Sequence, residues 1–234
     1  MLVLGIETST PQTTVALGTE RGIVAATLIS GNSANHEVVM PNVTHLMRWS
    51  GTEIGQLGGI AVGLGPGLFT GMRVGIATAK TLAQVLHVPI AGIASLDLLA
   101  FNVRYSRRLI CATADAKRGE VFYALYRPVP GGVQRLTEFL VGSPVELAAE
   151  LEARPEDTIL VGGGALVYRR ELQEAGGHVE IASAAYAFPA ASALVELAIP
   201  RFEREEFDRV YDVQPYYVRR TDAEIAWDRR RRAG

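Results

Sequence analysis

Short apolar runs separated by turn residues open the chain and predict three β-strands. The runs cover residues 2–6, 14–17 and 23–29. Between them lie Ser-Thr-Pro-Gln and Gly-Thr-Glu-Arg-Gly, which favour turns. Connections this short favour antiparallel neighbours, because parallel pairing needs a long crossover.

The apolar spacing then changes to the period of an α-helix. Helices are predicted over residues 36–49, 70–86 and 96–103, with strands at 60–64 and 90–93 between them. A three-strand meander continued by crossover units predicts an α/β fold with a mixed sheet and helices on its faces. This order is similar to the ribonuclease-H-like core of actin, sugar kinases and related ATPases, the actin-like ATPase (ASKHA) fold.

A second unit begins near residue 109. Strands are predicted at residues 109–115, 121–126, 134–141 and 158–161, and helices at 165–175 and 192–202. A further helix opens at Ser143, because Ser is a good N-cap, Pro144 suits the first helical position and Glu146 completes a capping box. A last strand is predicted at 214–218, where Pro215 confines it to a strand start or a sheet edge.

These elements divide into two related subdomains. We expect the N-terminal actin-like subdomain to cover residues 1–105 and to be completed by the C-terminal helix, at about 192–212. The second, smaller subdomain covers residues 106–191, and a charged tail follows at 219–234. Each subdomain is predicted to hold a mixed sheet flanked by helices.

Composition narrows the function classes only a little. With 234 residues and a formal net charge of −2, the chain gives no general reason to bind nucleic acid on its own. The basic run at 229–232 is interpreted as a solvated tail, with an RNA contact as the alternative. The single cysteine, Cys111, excludes an internal disulfide framework. No apolar stretch has transmembrane length and the N-terminus lacks signal-peptide features, so we expect a cytoplasmic protein.

Three loops are candidates for a nucleotide site. Each ends a predicted strand, and two of them lead into a helix, where backbone amides and the helix N-terminus attract anions. Their residues are Glu7, Thr8, Ser9, Gly65, Pro66, Gly67, Gly162, Gly163 and Gly164. The central loop lacks the Walker A lysine, and Leu68 breaks the G-x-G-x-x-G pattern. A tight turn without a ligand is the alternative for each loop.

The helix after the central loop has a stripe of small residues. Gly71, Gly75, Ala79 and Ala83 recur at every fourth position, so another backbone can pack unusually close. Glycine costs a helix about 1 kcal/mol relative to alanine, and two on one stripe indicate that close packing offsets this cost. The stripe is a candidate surface for a partner helix, and packing on the chain's own sheet is the alternative.

The preceding helix is apolar on two sides. Its main apolar face is formed by Val39, Met40, Val43, Leu46 and Met47. Val38 and Trp49 extend apolar character to another side, which predicts burial between the sheet and a partner subunit. Pro41 is expected to kink this helix or split it.

Motifs for independent catalysis are absent from the sequence. No HExxH motif occurs, and the four histidines never fall four residues apart. Cys111 lies in an apolar run typical of an inert, buried thiol, and no serine has a G-x-S-x-G context. The cluster of Asp115, Lys117 and Glu120 at a predicted hairpin is typical of a solvated turn.

Together these segments resemble the TsaB (YeaZ) family, the accessory subunit of the bacterial machinery that makes threonylcarbamoyladenosine in tRNA. The most specific block is residues 65–76, with the sequence GPGLFTGMRVGI. Supporting blocks are LGIETST at 4–10, DAKRGEV at 115–121, the glycines at 162–164 and PYYVR at 215–219. The resemblance covers nearly the whole chain.

Two positions depart from the family pattern towards its catalytic sister family, TsaD. Glu7 replaces the usual Asp and Leu68 replaces a common Ser. The sister carries a His-x-x-x-His metal pair, and the positions that match it here are Ser95 and Leu99. Serine is a poor ligand for zinc or iron and leucine is none, so we expect no metal site and no catalytic residues.

The resemblance implies a non-catalytic scaffold subunit. It would dimerise with TsaD and be required for threonylcarbamoylation of the adenosine next to the anticodon in tRNAs that read codons starting with A. It implies an interface on the first two helices, formed by His36, Val39, Met40, Val43, Leu46, Met47, Gly71, Met72, Gly75, Ala79 and Ala83. The nucleotide loops would then be vestigial.

The implied partners are TsaD, the ATPase TsaE, a second copy of the chain when it is alone, and tRNA through the complex. No membrane partner and no cofactor are expected, apart from weak ATP or ADP binding at the complex interface. The alternative is an independent ATPase or kinase that uses Glu7 and the two glycine loops around Mg²⁺-ATP. A metallopeptidase ranks far below both, since the histidine pair is missing.

Overall fold

The computed structural model describes residues 1–31 and 35–218, with the side chains of residues 35 and 36 excepted. Its N-terminal half follows the predicted element order. The elements are β1 (Leu2–Glu7), β2 (Gln12–Thr19), β3 (Gly22–Ser30), α1 (Asn35–Ser50), β4 (Leu57–Gly63), α2 (Phe69–Leu86), β5 (Ile90–Ile93) and α3 (Ser95–Asn102). A short 3₁₀ turn at Ile54–Gln56 precedes β4.

These strands form a mixed sheet in the order β3-β2-β1-β4-β5. β1, β2 and β3 pair antiparallel, while β1, β4 and β5 run parallel. Side chains of β1 alternate between the faces: Leu4 and Ile6 pack with α1 and α2, and Val3 packs on the opposite side. The first sheet therefore has a helical layer on each face.

The C-terminal half builds a second sheet. Its elements are β6 (Leu109–Lys117), β7 (Glu120–Val129), β8 (Gly132–Arg135), β9 (Leu140–Gly142), α4 (Pro144–Glu152), β10 (Thr158–Val161), α5 (Gly163–Val167), α6 (Arg169–Gln173), β11 (Val179–Ile181) and α7 (Ala191–Glu203). The strand order is β11-β10-β6-β7-β8, and β9 pairs with β7.

Two helices connect the sheets. α3 packs on the second sheet through Leu96, Leu99 and Ala100, and it also contacts α7. α7 covers the first sheet through Leu194, Val195 and neighbouring residues. On its other face the second sheet is covered by α4, α5 and α6. The molecule is thus an α/β fold of two mixed sheets with helices on their faces, as predicted.

Local chemistry explains the best-predicted boundary. The Ser143 hydroxyl accepts a hydrogen bond from the Glu146 amide, and the Glu146 carboxylate accepts one from the Ser143 amide at 2.8 Å. With Pro144 at the first helical position, this is the capping box that the sequence predicts.

Several elements differ from the sequence prediction. The strand predicted at 134–141 is two short strands, β8 and β9. Between them the Thr137 hydroxyl accepts a hydrogen bond from the Leu125 amide in place of regular backbone pairing with β7. The helix predicted at 165–175 is broken at Tyr168, which leaves helical geometry with φ −107° and ψ 32°. The strand β11 has only three residues and was not predicted.

Two prolines were expected to shape local structure, and the structure tests part of each prediction. α1 does not split at Pro41, which is exposed and removes a single backbone donor from the helix. The strand predicted at 214–218 is absent from the part of the chain described. Instead the Tyr216 amide makes a single backbone bond to the Leu64 carbonyl, next to Pro215, which has no amide donor.

The segment after α7 fastens the edge of the first sheet. The Asp208 carboxylate accepts hydrogen bonds from the Gly92 amide at 2.7 Å and from Arg201 at 3.2 Å. Further on, Val213 is buried in the core and its carbonyl accepts from Lys80. This segment covers the otherwise open edge at β5.

The predicted division at residue 105 falls in the connection between α3 and β6, and the division itself stays a prediction. The predicted tail at 219–234, with its basic run at 229–232, lies outside the described residues. Across the described part of the chain, no helix is both long enough and apolar enough to cross a membrane.

The close packing at Gly75 gives a first testable prediction. A Cβ atom there would lie 2.2 Å from the Thr8 hydroxyl oxygen, which donates to the Gly71 carbonyl. We expect Gly75→Ala to destabilise the fold by about 1–3 kcal/mol, although helix propensity alone favours alanine. Urea unfolding measures the change.

A matched control is Gly55→Ala, where a Cβ meets nothing within 4 Å. Removing the obstructing oxygen with Thr8→Ala should make the second substitution, Gly75→Ala, less costly than it is alone. Equal stability of Gly75→Ala and the parent protein would contradict the tight packing described.

Candidate functional site

One candidate site is a cavity of about 310 Å³ between the two sheets. One wall comes from the β1–β2 turn and from the loop between β4 and α2, and the other from β6, α5 and the segment before α7. The large apolar side chains of the lining are Leu68, Leu99, Leu166, Val167 and Phe188, while the N-terminal wall also presents the hydroxyl residues Ser9 and Thr10. Ligand pockets at such a junction are common in α/β folds.

The N-terminal wall is held by backbone contacts. The Leu68 amide donates to the Ser9 carbonyl at 2.6 Å. A Cβ on Gly67 would lie 2.1 Å from the same oxygen, so only glycine lets the loop approach the turn this closely. The glycine loop therefore packs on the protein's own backbone at this point.

The C-terminal wall is organised by Thr113 in β6. Its hydroxyl donates to the Val161 carbonyl at 2.8 Å and accepts from the Ala165 amide at 2.8 Å. A Cβ on Gly162 would lie 1.9 Å from the Thr113 carbonyl oxygen, and φ there is +103°. The glycine run thus fits α5 tightly against β6.

Asp115 and Lys117 supply charge at the cavity. The Lys117 ammonium lies 2.7 Å from the Asp115 carboxylate, and the Lys117 amide and the Tyr168 hydroxyl also donate to it. Partial burial opposes ionisation of Asp115, but the bonds from Lys117 outweigh it and hold the pKa of this carboxyl below its usual value. The hairpin cluster is therefore partly buried and ordered, whereas the sequence indicated a solvated turn.

Glu7 lies beneath the cavity and is fully buried. Its carboxylate accepts hydrogen bonds from the Ser9 amide at 2.6 Å and the Ser95 hydroxyl at 2.8 Å. Ser95 in turn accepts from the Gly65 amide at 3.0 Å, and its own amide donates to the Gly65 carbonyl. A Cβ on Gly63 would lie 1.9 Å from the Glu7 carboxylate. Only glycine at position 63 therefore leaves room for this carboxylate.

Burial raises the pKa of Glu7 above its ordinary value, although the bonds from Ser9 and Ser95 act in the opposite direction. The side chain is enclosed by β4, α3 and the glycine loop and does not line the cavity. The carboxylate connects the β1–β2 turn with α3 and, through Ser95, with the glycine loop. It cannot contact a ligand in the cavity directly.

The predicted nucleotide-loop residues separate into two groups. Ser9, Gly67 and Gly163 line the cavity. The others are buried behind it and contact the chain itself: Glu7, Thr8, Gly65, Pro66, Gly162 and Gly164. The vestigial nucleotide-binding role of these nine residues stays a prediction, and in this structure most of them pack strands against helices.

The predicted partner interface needs a larger correction. Val39, Val43, Leu46 and Met47 are buried in the core against the first sheet. The predicted interface residues of α2 are buried too, and the small-residue stripe faces Thr8 and the core: Gly71, Met72, Gly75, Ala79 and Ala83. A partner helix has no access to these side chains. Packing on the chain's own sheet, the alternative that the sequence left open, is the arrangement found.

Other side chains of the same two helices point outwards. Met40 is partly exposed, and Trp49 and Val85 are each 70% exposed. Trp49 stacks beside His45 with ring centroids 3.6 Å apart. The side chain of His36, also predicted at the interface, lies outside the described residues. The sequence analysis identified Trp49 but not Val85. Val85 lies on the side of α2 opposite the small-residue stripe, and this position indicates that it is exposed.

Among the residues that the structure describes, no group of three His, Cys, Asp or Glu side chains lies close enough together to hold a metal ion. Cys111 is fully buried, and burial raises the pKa of its thiol far above the usual range. At the positions that match the sister family's metal pair, Ser95 bonds to Glu7 and Leu99 packs against the second sheet.

Comparison with known proteins identifies sequence relatives along nearly the whole chain. A family model described as TsaD, tRNA N6-adenosine threonylcarbamoyltransferase, matches residues 31–227. The tRNA threonylcarbamoyladenosine biosynthesis protein TsaB of Bacillus subtilis is 31% identical over 229 residues, 97% of this chain and 98% of that protein. The Escherichia coli protein of the same name is 27% identical and covers 97% of both chains.

Solved structures agree with the sequence relatives. YeaZ from Pseudomonas aeruginosa superposes with a TM-score of 0.79 and 25% identity, over 92% of this chain and 99% of that one. The ROK hexokinase of Thermus thermophilus, at a TM-score of 0.50 and 13% identity, shares the fold alone and confirms the actin-like ATPase class. The chain therefore belongs to the TsaB (YeaZ) family, within the wider group that the threonylcarbamoyltransferase model matches.

Proposed function

We propose that this protein is a non-catalytic subunit in the biosynthesis of threonylcarbamoyladenosine in tRNA. Family membership along nearly the whole chain supports the pathway, since the Bacillus and Escherichia relatives carry that description. The modified base is the adenosine next to the anticodon in tRNAs that read codons starting with A. The catalytic step belongs to the paralogous TsaD subunit.

The main support for a non-catalytic role comes from the hydrogen bonds that the Glu7 carboxylate accepts. In an active ATPase of this fold, an acidic group at the end of the first strand would need to face the cleft. Here the carboxylate is enclosed and accepts from Ser9 and Ser95. The Ser95 hydroxyl also accepts a hydrogen bond from the Gly65 amide. The side chains of Glu7 and Ser95 therefore both have structural roles.

We propose the outward face of α1 and α2 as the surface for TsaD. Both helices lie on the same face of the first sheet and contact each other. Their exposed apolar side chains include Met40, Trp49 and Val85. The same surface serves a homodimer when the chain is alone, while the ATPase TsaE and tRNA join the assembled pair.

No cofactor is proposed for the isolated chain, and ATP or ADP would bind weakly at the complex interface. The cavity walls support this, because leucine, valine and phenylalanine offer no partner to a triphosphate. Lys117, the cationic side chain nearest to this role, is paired with Asp115, whose carboxylate is only 19% exposed and is also held by the Lys117 amide and the Tyr168 hydroxyl.

Calorimetric titration of the isolated chain with Mg²⁺-ATP tests that view. We expect no binding in the micromolar range, since the cavity offers neither an open carboxylate for Mg²⁺ nor an unengaged lysine. Micromolar binding would favour the independent ATPase or kinase instead.

The interface proposal is tested by Val85→Glu. A charge within an apolar contact should weaken the heterodimer at least tenfold, while an exposed position should leave the fold intact. Light scattering of the mixture with TsaD measures assembly. Val145→Glu on α4 is the matched control, because Val145 is also a helical valine and is 62% exposed.

Equal assembly by both variants would place the interface elsewhere. Substitutions at Val39 or Gly75 cannot serve as this test, because Val39 is a core residue and Gly75 packs on Thr8.

The buried carboxylate gives a pH-dependent prediction. Because burial raises the pKa of Glu7 in the folded state, the contribution of this group to stability is full below its unfolded pKa and is lost as pH rises through the folded value. Glu7→Gln should therefore raise the melting temperature at pH 7–8, as the glutamine oxygen still accepts from Ser9.

The gain should shrink as pH falls and vanish below the unfolded pKa of about 4.5, where the carboxyl is protonated in both states. Thermal unfolding of parent and variant across this range measures the difference. A stability gain that does not depend on pH would show that Glu7 has the same pKa in the folded and unfolded states. A loss at neutral pH would show that the charged form is favoured at this position.

A further inference from the structure

A second concavity lies at the other end of the second sheet and is lined by arginines. It measures about 470 Å³, and its lining includes Arg104, Arg107, Arg108 and Arg127, with Glu156 as the acidic member. Four guanidinium groups around one opening contrast with the chain's overall net charge of −2. Three of these arginines pair with Glu156, Glu180 or Glu196, so the local excess of positive charge is small until an anion displaces those partners.

Sheet register explains why these residues meet. Arg107 and Arg108 directly precede β6, whose first residue pairs with Thr158 of β10. Arg127 follows Tyr126 of β7, the partner of Ile110, so it lies beside the same strand start. The cavity between the sheets is at the opposite end of β6. The two openings are therefore separate features.

Three of the four arginines are available at the surface. Arg127 lies 2.9 Å from Glu156 and Arg108 pairs with Glu180, and all four of these side chains are 40% or more exposed. Exposed ion pairs of this type contribute little to stability. Arg107 is exposed and has no ion pair with any residue that the structure describes. An incoming phosphate can therefore replace the glutamates at small cost.

An aromatic side chain stands at the edge of this surface. Tyr105 is 83% exposed, and the Arg104 guanidinium lies between the Phe101 and Tyr105 rings, 3.8 and 4.6 Å from their centroids. Arg104 also bonds to Glu196 at 2.7 Å. A fixed guanidinium–tyrosine stack beside exposed arginines combines a planar stacking surface with phosphate-binding groups, the pair of features that RNA contacts use.

We propose that this surface, the arginine concavity, binds the phosphate backbone of tRNA in the assembled complex. The proposal rests on the proposed function, which brings tRNA to the complex. The concavity shares no residue with the outward face of α1 and α2, so pairing through that face leaves it open. Arg107, Arg108 and Arg127 neutralise phosphates, and Tyr105 supports an exposed base or ribose.

The test uses the complex with TsaD and a tRNA transcript whose anticodon reads codons starting with A. Fluorescence anisotropy gives the dissociation constant at salt concentrations from about 50 to 200 mM. For the triple variant Arg107→Ala, Arg108→Ala and Arg127→Ala, we expect binding to weaken roughly tenfold or more at low salt. The slope of log affinity against log salt should fall by about one for each phosphate that an arginine no longer neutralises.

Two further variants separate a specific surface from a general charge effect. Arg204→Ala removes a similarly exposed arginine that pairs with Glu206 at 2.8 Å, outside the concavity, and should leave both affinity and slope unchanged. Glu156→Gln removes the competitor for Arg127 and should tighten tRNA binding by about twofold or more. A purely structural role for the pair would not tighten binding.

Complex assembly is measured first by light scattering, so that the two proposals fail separately. If the parent pair does not assemble, the proposed function fails, and the same titration on the isolated chain then decides for or against the concavity. An assembled triple variant with unchanged affinity and slope overturns the tRNA contact. Loss of assembly in that variant also overturns it and assigns the arginines to an acidic protein surface. An equal loss of affinity with Arg204→Ala overturns it as a general charge effect.

Discussion

One buried carboxylate organises the centre of this molecule. Glu7 ends β1 and accepts hydrogen bonds from the Ser9 amide and the Ser95 hydroxyl. A buried acid is costly unless its lone pairs are used, and these bonds connect β1, the glycine loop and the start of α3. Gly63 must lack a side chain to leave room for it. The same hydrogen bonds that offset part of the cost of burial also enclose the carboxylate away from the cavity above.

The small-residue stripe of α2 shows how far sequence reasoning goes. Spacing of glycine and alanine at every fourth position correctly indicates close packing, and the cost of glycine in a helix makes that inference firm. It does not say what packs there. In the structure the neighbour of Gly75 is Thr8, near the start of the chain, whose hydroxyl bonds to Gly71. This contact depends on the order of strands in the sheet, and the spacing of residues along one helix gives no information about that order.

The fold was more predictable than the site for the same reason. Strands such as 90–93 and 158–161, and the cap at Ser143, follow from local composition and have the predicted bounds. Breaks at Thr137 and Tyr168 depend on side-chain bonds to distant residues, Leu125 and Asp115, and no local pattern indicates them. Likewise the glycine loops were correctly located, but whether a glycine faces a ligand or a neighbouring strand depends on tertiary packing.

Burial within the chain also separates its surfaces by chemistry. The groups that an ATPase would use around a nucleotide are engaged in holding the sheets and helices together, as Ser95 and Gly65 show. The exposed apolar side chains include Trp49 and Val85 on the outward face of α1 and α2, and others lie elsewhere, such as Leu28 on β3. Exposed arginines gather at the far end of β6, where exposed acidic partners hold them only weakly. An apolar face and a cationic face on separate elements can engage a protein and a polyanion at once, because neither occupant needs the other's surface.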